Sequence, residues 1–313
     1  MVRPDAGPTA AAPPASAAVP ARGRRTLPAL ALVLNGFVWG ISWWPFRELQ
    51  QHGLHPLLAT AAVYLISVVL LLIVRPGAAR TLARYPALWL LAGAAGMTNV
   101  GFNWAVTIGD VVRVVLLFYL MPAWSVLLAW PLLGEKPTAG SLLRIALAML
   151  GVAIVLKTGD TPWPVPHSLA DWLALAGGIS FALNNILLRR LHRVDAPGRV
   201  LAMFLGGAIM AGGTAIAGLG MGFVAAASAP QPEWALGLAL SLGFLSSNIA
   251  LQYGAARLDA HTTALIMLSE VVFASLSSVA LGAAALTART ITGGLLILVA
   301  AAWSALSSPA EDA

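Results

Sequence analysis

Apolar runs close to twenty residues long recur from end to end of the chain, separated by short clusters of proline, glycine and charge. A helix rising about 1.5 Å per residue needs roughly 20 mostly apolar residues to cross a hydrocarbon layer about 30 Å thick. Ten segments have that length: 27–46, 56–74, 86–108, 111–133, 139–156, 169–188, 200–224, 234–255, 262–281 and 291–307. The pattern predicts an all-α integral membrane protein with ten transmembrane helices.

The polar positions inside these runs repeat. Met97 to Trp104 reappears 149 residues later as Ser246 to Tyr253, with Asn99 matching Asn248 and Asn103 matching Gln252. The same offset carries Asp110 onto Asp259 and Thr138 onto Thr287. Nearer the start the offset is 142, carrying Gly36 onto Gly178, Ser42 onto Asn184 and Arg47 onto Arg189. Hydrophobicity alone does not repeat amides and acids, so the chain reads as a tandem duplication. Its halves are 28–157 and 169–307, joined by a linker at 158–168 and flanked by tails at 1–27 and 308–313. Five spans per half is an odd number, so the second half enters the membrane from the opposite side. Two inverted five-helix repeats are a construction that many transporters share.

Charge sets the expected orientation, because Lys and Arg in short loops favour the cytoplasmic side. With the amino-terminal tail inside, 14 of the 18 basic residues fall on that side. Only Arg47, Arg113, Lys157 and Arg289 fall on the other. Both termini are therefore expected in the cytoplasm, with the tail at 1–27 too poor in apolar surface to order itself.

Composition narrows the class of function. With 59% hydrophobic and 10% charged residues and a mean hydropathy of +0.85, the chain is expected in the lipid bilayer. The pI of about 10.5 reflects short basic clusters rather than a basic face, so no nucleic-acid partner is expected. Cysteine is absent and the five histidines lack ligand spacing, so neither a metal nor another cofactor is anticipated.

Polar groups at membrane depth cost free energy unless they meet a partner or water, so they point to the pathway. Glu270 lies about nine residues into the ninth segment, near the midplane at about 1.5 Å per residue. It is read as the partner of a substrate amine or as a proton-binding carboxyl, against the alternative of a hydrogen bond to a neighbouring helix. Asn99 with Asn103, and Asn248 with Gln252, share helix faces four residues apart and suit either recognition or fastening of helices. Asn184 poses the same choice. Trp39 and Tyr119 lie deep enough to offer an aromatic wall, while Arg113, with Asp110 beside it, would attract a carboxylate at the outer mouth. Gly40, four residues from Gly36, permits close helix approach, and Pro122 frees a carbonyl; both are candidate hinges.

Several of these residues fall into a known pattern. Trp39-Gly40, Tyr119-Leu120-Met121-Pro122 followed by Leu133-Gly134-Glu135, and Leu268-Ser269-Glu270 resemble the signatures of the EamA-type ten-helix permeases of the drug/metabolite transporter superfamily. Val271 departs from the usual proline of the ninth helix, and Ala283-Ala284 from a Gly-Glu pair. The resemblance implies a bacterial inner-membrane carrier with alternating access to a central cavity. Members of that family move amino acids, other metabolites or toxic compounds, commonly outward.

The expectation is a secondary transporter, not an enzyme, acting on a small-molecule substrate with protons as the candidate coupling ion, as a monomer or homodimer. A zwitterion such as an amino acid suits the amides, the buried carboxyl and the aromatic surface together. The alternatives are efflux of hydrophobic cationic drugs and, in another class, a polytopic membrane enzyme acting on lipid substrates.

Overall fold

The computed structural model describes residues 23–157, 163–225, 234–258 and 260–306. Most of the tail at 1–27, part of the linker, Asp259, Ser307 and the carboxyl tail lie outside the described residues. Fourteen helices and no strand occur among those described. The first half comprises α1 (Gly23–Ile41), α2 (Trp43–Gln51), α3 (Pro56–Val74), α4 (Gly77–Arg84), α5 (Ala87–Ile108), α6 (Val111–Phe118), α7 (Met121–Leu133) and α8 (Ala139–Leu156). The second comprises α9 (Leu169–Arg190), α10 (Ala196–Met221), α11 (Trp234–Ala255), α12 (Ala260–Met267), α13 (Ser269–Ala280) and α14 (Ala288–Leu306).

The boundaries have local causes. Three expected single segments are divided: the first at Ser42, the fourth at Tyr119–Leu120 and the ninth at Leu268. Pro45, lacking an N–H, leaves the carbonyl of Ile41 without its helical donor, and Ser42 turns back to donate to the Trp39 carbonyl at 2.8 Å. The first apolar stretch then runs on to Gln51, which places Arg47 on α2 rather than in a loop. Short α4 falls in what the pattern reads as a basic connection, with Ala78 and Leu82 buried.

Nine stretches, rather than ten, are long and apolar enough among the described residues to cross a membrane. The exception is α5, although it has 22 residues. Its two asparagines and its glycines dilute its apolar character. It can carry them because α9 and α10 enclose it, with Leu91, Val100, Asn103 and Ala105 all buried. A helix surrounded by protein does not need a lipid-compatible surface.

The packing pairs form a pattern. α1 lies on α11 and on α12–α13, while α9 lies on α5 and on α6–α7. Exchanging the halves carries the first set onto the second. α3 packs on α10 and α8 on α14, and each of these contacts maps onto itself. At the latter, Gly151 and Gly293 meet backbone to backbone: a Cβ on either would come within 2.6 Å of the other's carbonyl oxygen. Gly206 packs likewise against the backbone of Ala92, next to the fully buried Ala202. Such close approach supplies dispersion contacts where lipid offers helices no hydrophobic driving force.

Candidate functional site

The broken fourth and ninth segments meet across the two halves, and each break has its own origin. In the fourth, Pro122 cannot donate to the carbonyl of Phe118, so α6 stops and α7 restarts with that proline in its first turn. In the ninth, Val271 occupies the usual proline position and yet the helix still breaks. The Val271 N–H turns to the carbonyl of Leu268 at 3.1 Å, and the Met267 carbonyl accepts instead from the Tyr119 hydroxyl at 3.1 Å. A side chain from the other half has entered the backbone ladder, which is enough to break a helix without proline.

The same hydroxyl lies 2.9 Å from Oε2 of Glu270. Glu270 is buried in the first turn of α13. The hydroxyl carries one proton and faces two acceptors, so it serves them in alternation or shares itself between them. α1 covers this point: a Cβ on Gly36 would meet Ser269 Oγ, and one on Gly40 would lie 2.8 Å from the Glu270 carbonyl and 2.7 Å from Phe273 Cβ. Gly40 is thus a contact surface against α13, and Pro122 lies one turn from Tyr119, lining the narrow cleft that separates α7 from α8 and α14.

Aromatic rings extend from this latch. Phe118 is 6.3 Å from Tyr119 and 4.8 Å from Phe102; Trp39 meets Phe102 edge-on at 6.3 Å and stacks on Phe244 at 4.5 Å. Trp39 is part-exposed and packs against both large apolar cores, so it stands between them.

The amides divide. Asn99 Oδ1 accepts from Tyr64 at 2.8 Å and the Asn103 amide donates to Thr60 at 3.4 Å, so both fasten α5 to α3. Asn248 and Gln252 bond one another at 2.7 Å, with Gln252 exposed; no hydrogen bond joins them to Glu270 among the described residues. Asn184 is buried on α9, and its Oδ1 has no protein partner among the described residues, as is true of Ser269 Oγ and Trp124 Nε1. Buried polar atoms are normally bonded, so these three mark places suited to water or a ligand.

Arg113 is committed elsewhere than to an open mouth. Its Nε and one Nη grip the two oxygens of Asp171 at 2.7 and 2.9 Å, and the other Nη donates to the Val155 carbonyl at 2.8 Å. Asp171 also closes a capping box with Ser168. Asp171 is not among the residues expected above, although Ser168-x-x-Asp171 before an apolar run is the signature of such a cap. Asn35 also lies outside those expectations; its amide donates to the Ser247 carbonyl at 3.0 Å and ties α1 to α11.

At the same end of the molecule, Arg47 reaches the end of α5. Its Nε donates to the Val106 carbonyl at 3.1 Å, one Nη donates to the Gly109 carbonyl, and the Trp43 ring lies 5.1 Å away. Arg47, Gln50, Gln51, Thr107 and Asp110 line a hollow of about 450 Å³.

Residues 26–157 match the EamA-like transporter family. An uncharacterized transporter of Pseudomonas aeruginosa is 27% identical over 176 residues, which are 54% of this chain. The match spans 56% of that relative's length. A solved structure described as "Crystal structure of protein" superposes with a TM-score of 0.60 at 20% identity, covering 91% of this chain and 99% of the other. That likeness concerns the fold.

Proposed function

We propose that this chain, whose residues 26–157 match the EamA-like transporter family, is a secondary carrier of small organic metabolites across the plasma membrane. Its cargo is amino acids or related zwitterions, moved outward. α5 is the tenth span, and the two halves are inverted repeats that rock about a midplane site. The observation that carries this reading is the Tyr119–Glu270 contact, in which the break of one half holds the break of the other.

The hydrogen-bond accounting supplies a mechanism. While Glu270 is ionised, the Tyr119 hydroxyl donates to it. Once Glu270 binds a proton or pairs with a substrate ammonium, the hydroxyl is released to the Met267 carbonyl, and the grip between α6–α7 and α13 changes. Cargo or proton then biases a two-state contact between the halves, which is what alternating access requires. Trp39 and Asn184 line the path on either side, and the glycines of α1 let it slide over α13.

Glu270→Gln keeps the size of the side chain and removes its titration. In proteoliposomes with normal insertion and melting, we expect amino-acid flux about ten-fold lower and insensitive to pH. Flux equal to the parent's across the range would reject the role of Glu270. Transport of ethidium but of no amino acid would select drug efflux, a reading that the buried acid beside aromatic rings also supports.

A further inference from the structure

We infer that the hollow between the ends of α2 and α5 is a second binding site, for the charged backbone of a zwitterion, with Arg47 holding the carboxylate and Asp110 the ammonium. The inference takes its substrate class from the carrier reading and adds a place outside the central site where cargo halts.

Three observations lead there. First, the hollow holds opposite charges that do not pair. No ion pair joins Arg47 to Asp110 among the described residues, although both line the same space and Arg47 lies within the electrostatic reach of Asp110. Elsewhere in the protein arginines do close on acids. Arg113 takes Asp171 in a two-pronged grip, and Arg189, the repeat mate of Arg47, meets Glu135 at 2.8 Å.

Second, each charge is held by neutral partners. The carbonyls of Val106 and Gly109 and the face of Trp43 fix the Arg47 guanidinium without neutralising it. Asp110 Oδ1 is occupied in capping α6, accepting from the Arg113 N–H at 2.8 Å, while Oδ2 has no hydrogen bond among the described residues. Two pre-set opposite charges separated by a gap are complementary to a molecule that carries both, and arginine is suited to hold a carboxylate.

Third, size and lining agree. A hollow of about 450 Å³ lies within the usual range for small ligands of about 300 to 1,000 Å³. Gln50, Gln51 and Thr107 add polar groups able to meet varied side chains.

The natural chain has no cysteine, so Gln51→Cys places a single thiol on this hollow. In nanodiscs, its reaction with an uncharged maleimide would be followed with an equimolar mixture of L-alanine, L-serine, L-threonine and L-glutamine as probe. The mixture's carboxamides and its N-acetyl derivatives, which each lack one charge, serve as controls. The expected result is slowing by the mixture and by neither control set. Adding Asp110→Asn should weaken the protection about ten-fold while the helix cap persists, since asparagine caps as well as aspartate; Arg47→Gln should do the same. Absence of protection, protection by the single-charge controls, or protection that survives Asp110→Asn would overturn the inference. Labelling reads binding without transport, so a failure here beside normal amino-acid flux removes only this site. Loss of flux in Glu270→Gln tests the carrier reading separately.

Discussion

Arg113 and Asp171 show how far a single residue's chemistry can be followed. Asp171 is 1% exposed at its side chain and Arg113 is 17% exposed, so cutting the pair leaves a charge largely out of water. Asp171→Asn is therefore expected to destabilise the protein by about 3 kcal/mol or more, read as a lower melting temperature in detergent. An unchanged melting point would show that the pair is only superficial. The sequence makes Arg113 conspicuous because it is a cation in an apolar run, but it says nothing of a partner 58 residues away. Asp171 is inconspicuous for the opposite reason, standing at a segment's start where an acid is commonplace. His55 adds a pH effect. It caps α3 by accepting from the Leu57 N–H, and burial holds its imidazole below the usual range, so the neutral form is the one the fold keeps. This contribution is complete above the unfolded pKa of about 6.5 and is lost as pH falls below it. His55→Asn, which retains a cap, should flatten the decline in melting temperature between about pH 6.5 and 5.

At the scale of elements, the two helix breaks invite different experiments. The fourth follows from Pro122 and was legible in the sequence. The ninth was not, because its cause is the hydroxyl of Tyr119, on a different helix. Tyr119→Phe removes that hydroxyl and returns the Met267 carbonyl to the Val271 N–H. Hydrogen exchange should then show stronger protection at Val271, and flux should fall about ten-fold. Unaltered exchange at Val271 would mean that the break is set by α12 and α13 themselves. α5 makes the converse point. Its residues read as a span of ordinary length, but nothing local announces that it is enclosed by α9 and α10, which is what lets it carry Asn99 and Asn103. Repeated amides single out α5 in the sequence; that Asn99 and Asn103 bond to α3 could be learned only from the packing.

For the whole molecule, the helix pairs that pack together are the ones to probe for a relation between the halves. Gly151 and Gly293 each press on the other's carbonyl, so enlarging either should act alike. Gly151→Leu and Gly293→Leu are each expected to lower the melting temperature, since a Cβ would fall 2.6 Å from the opposing carbonyl. A drop for only one of them would argue against this mutual approach. The most direct test uses repeat-matched positions, because the offset of 142 that carries Arg47 onto Arg189 also carries Gln51 onto Arg193. In the cysteine-free chain, Gln51→Cys and Arg193→Cys would be labelled in intact cells with a membrane-impermeant maleimide, before and after permeabilisation. Inverted halves predict that Gln51→Cys reacts from outside and Arg193→Cys only after permeabilisation; reaction of both from the same side would contradict the account.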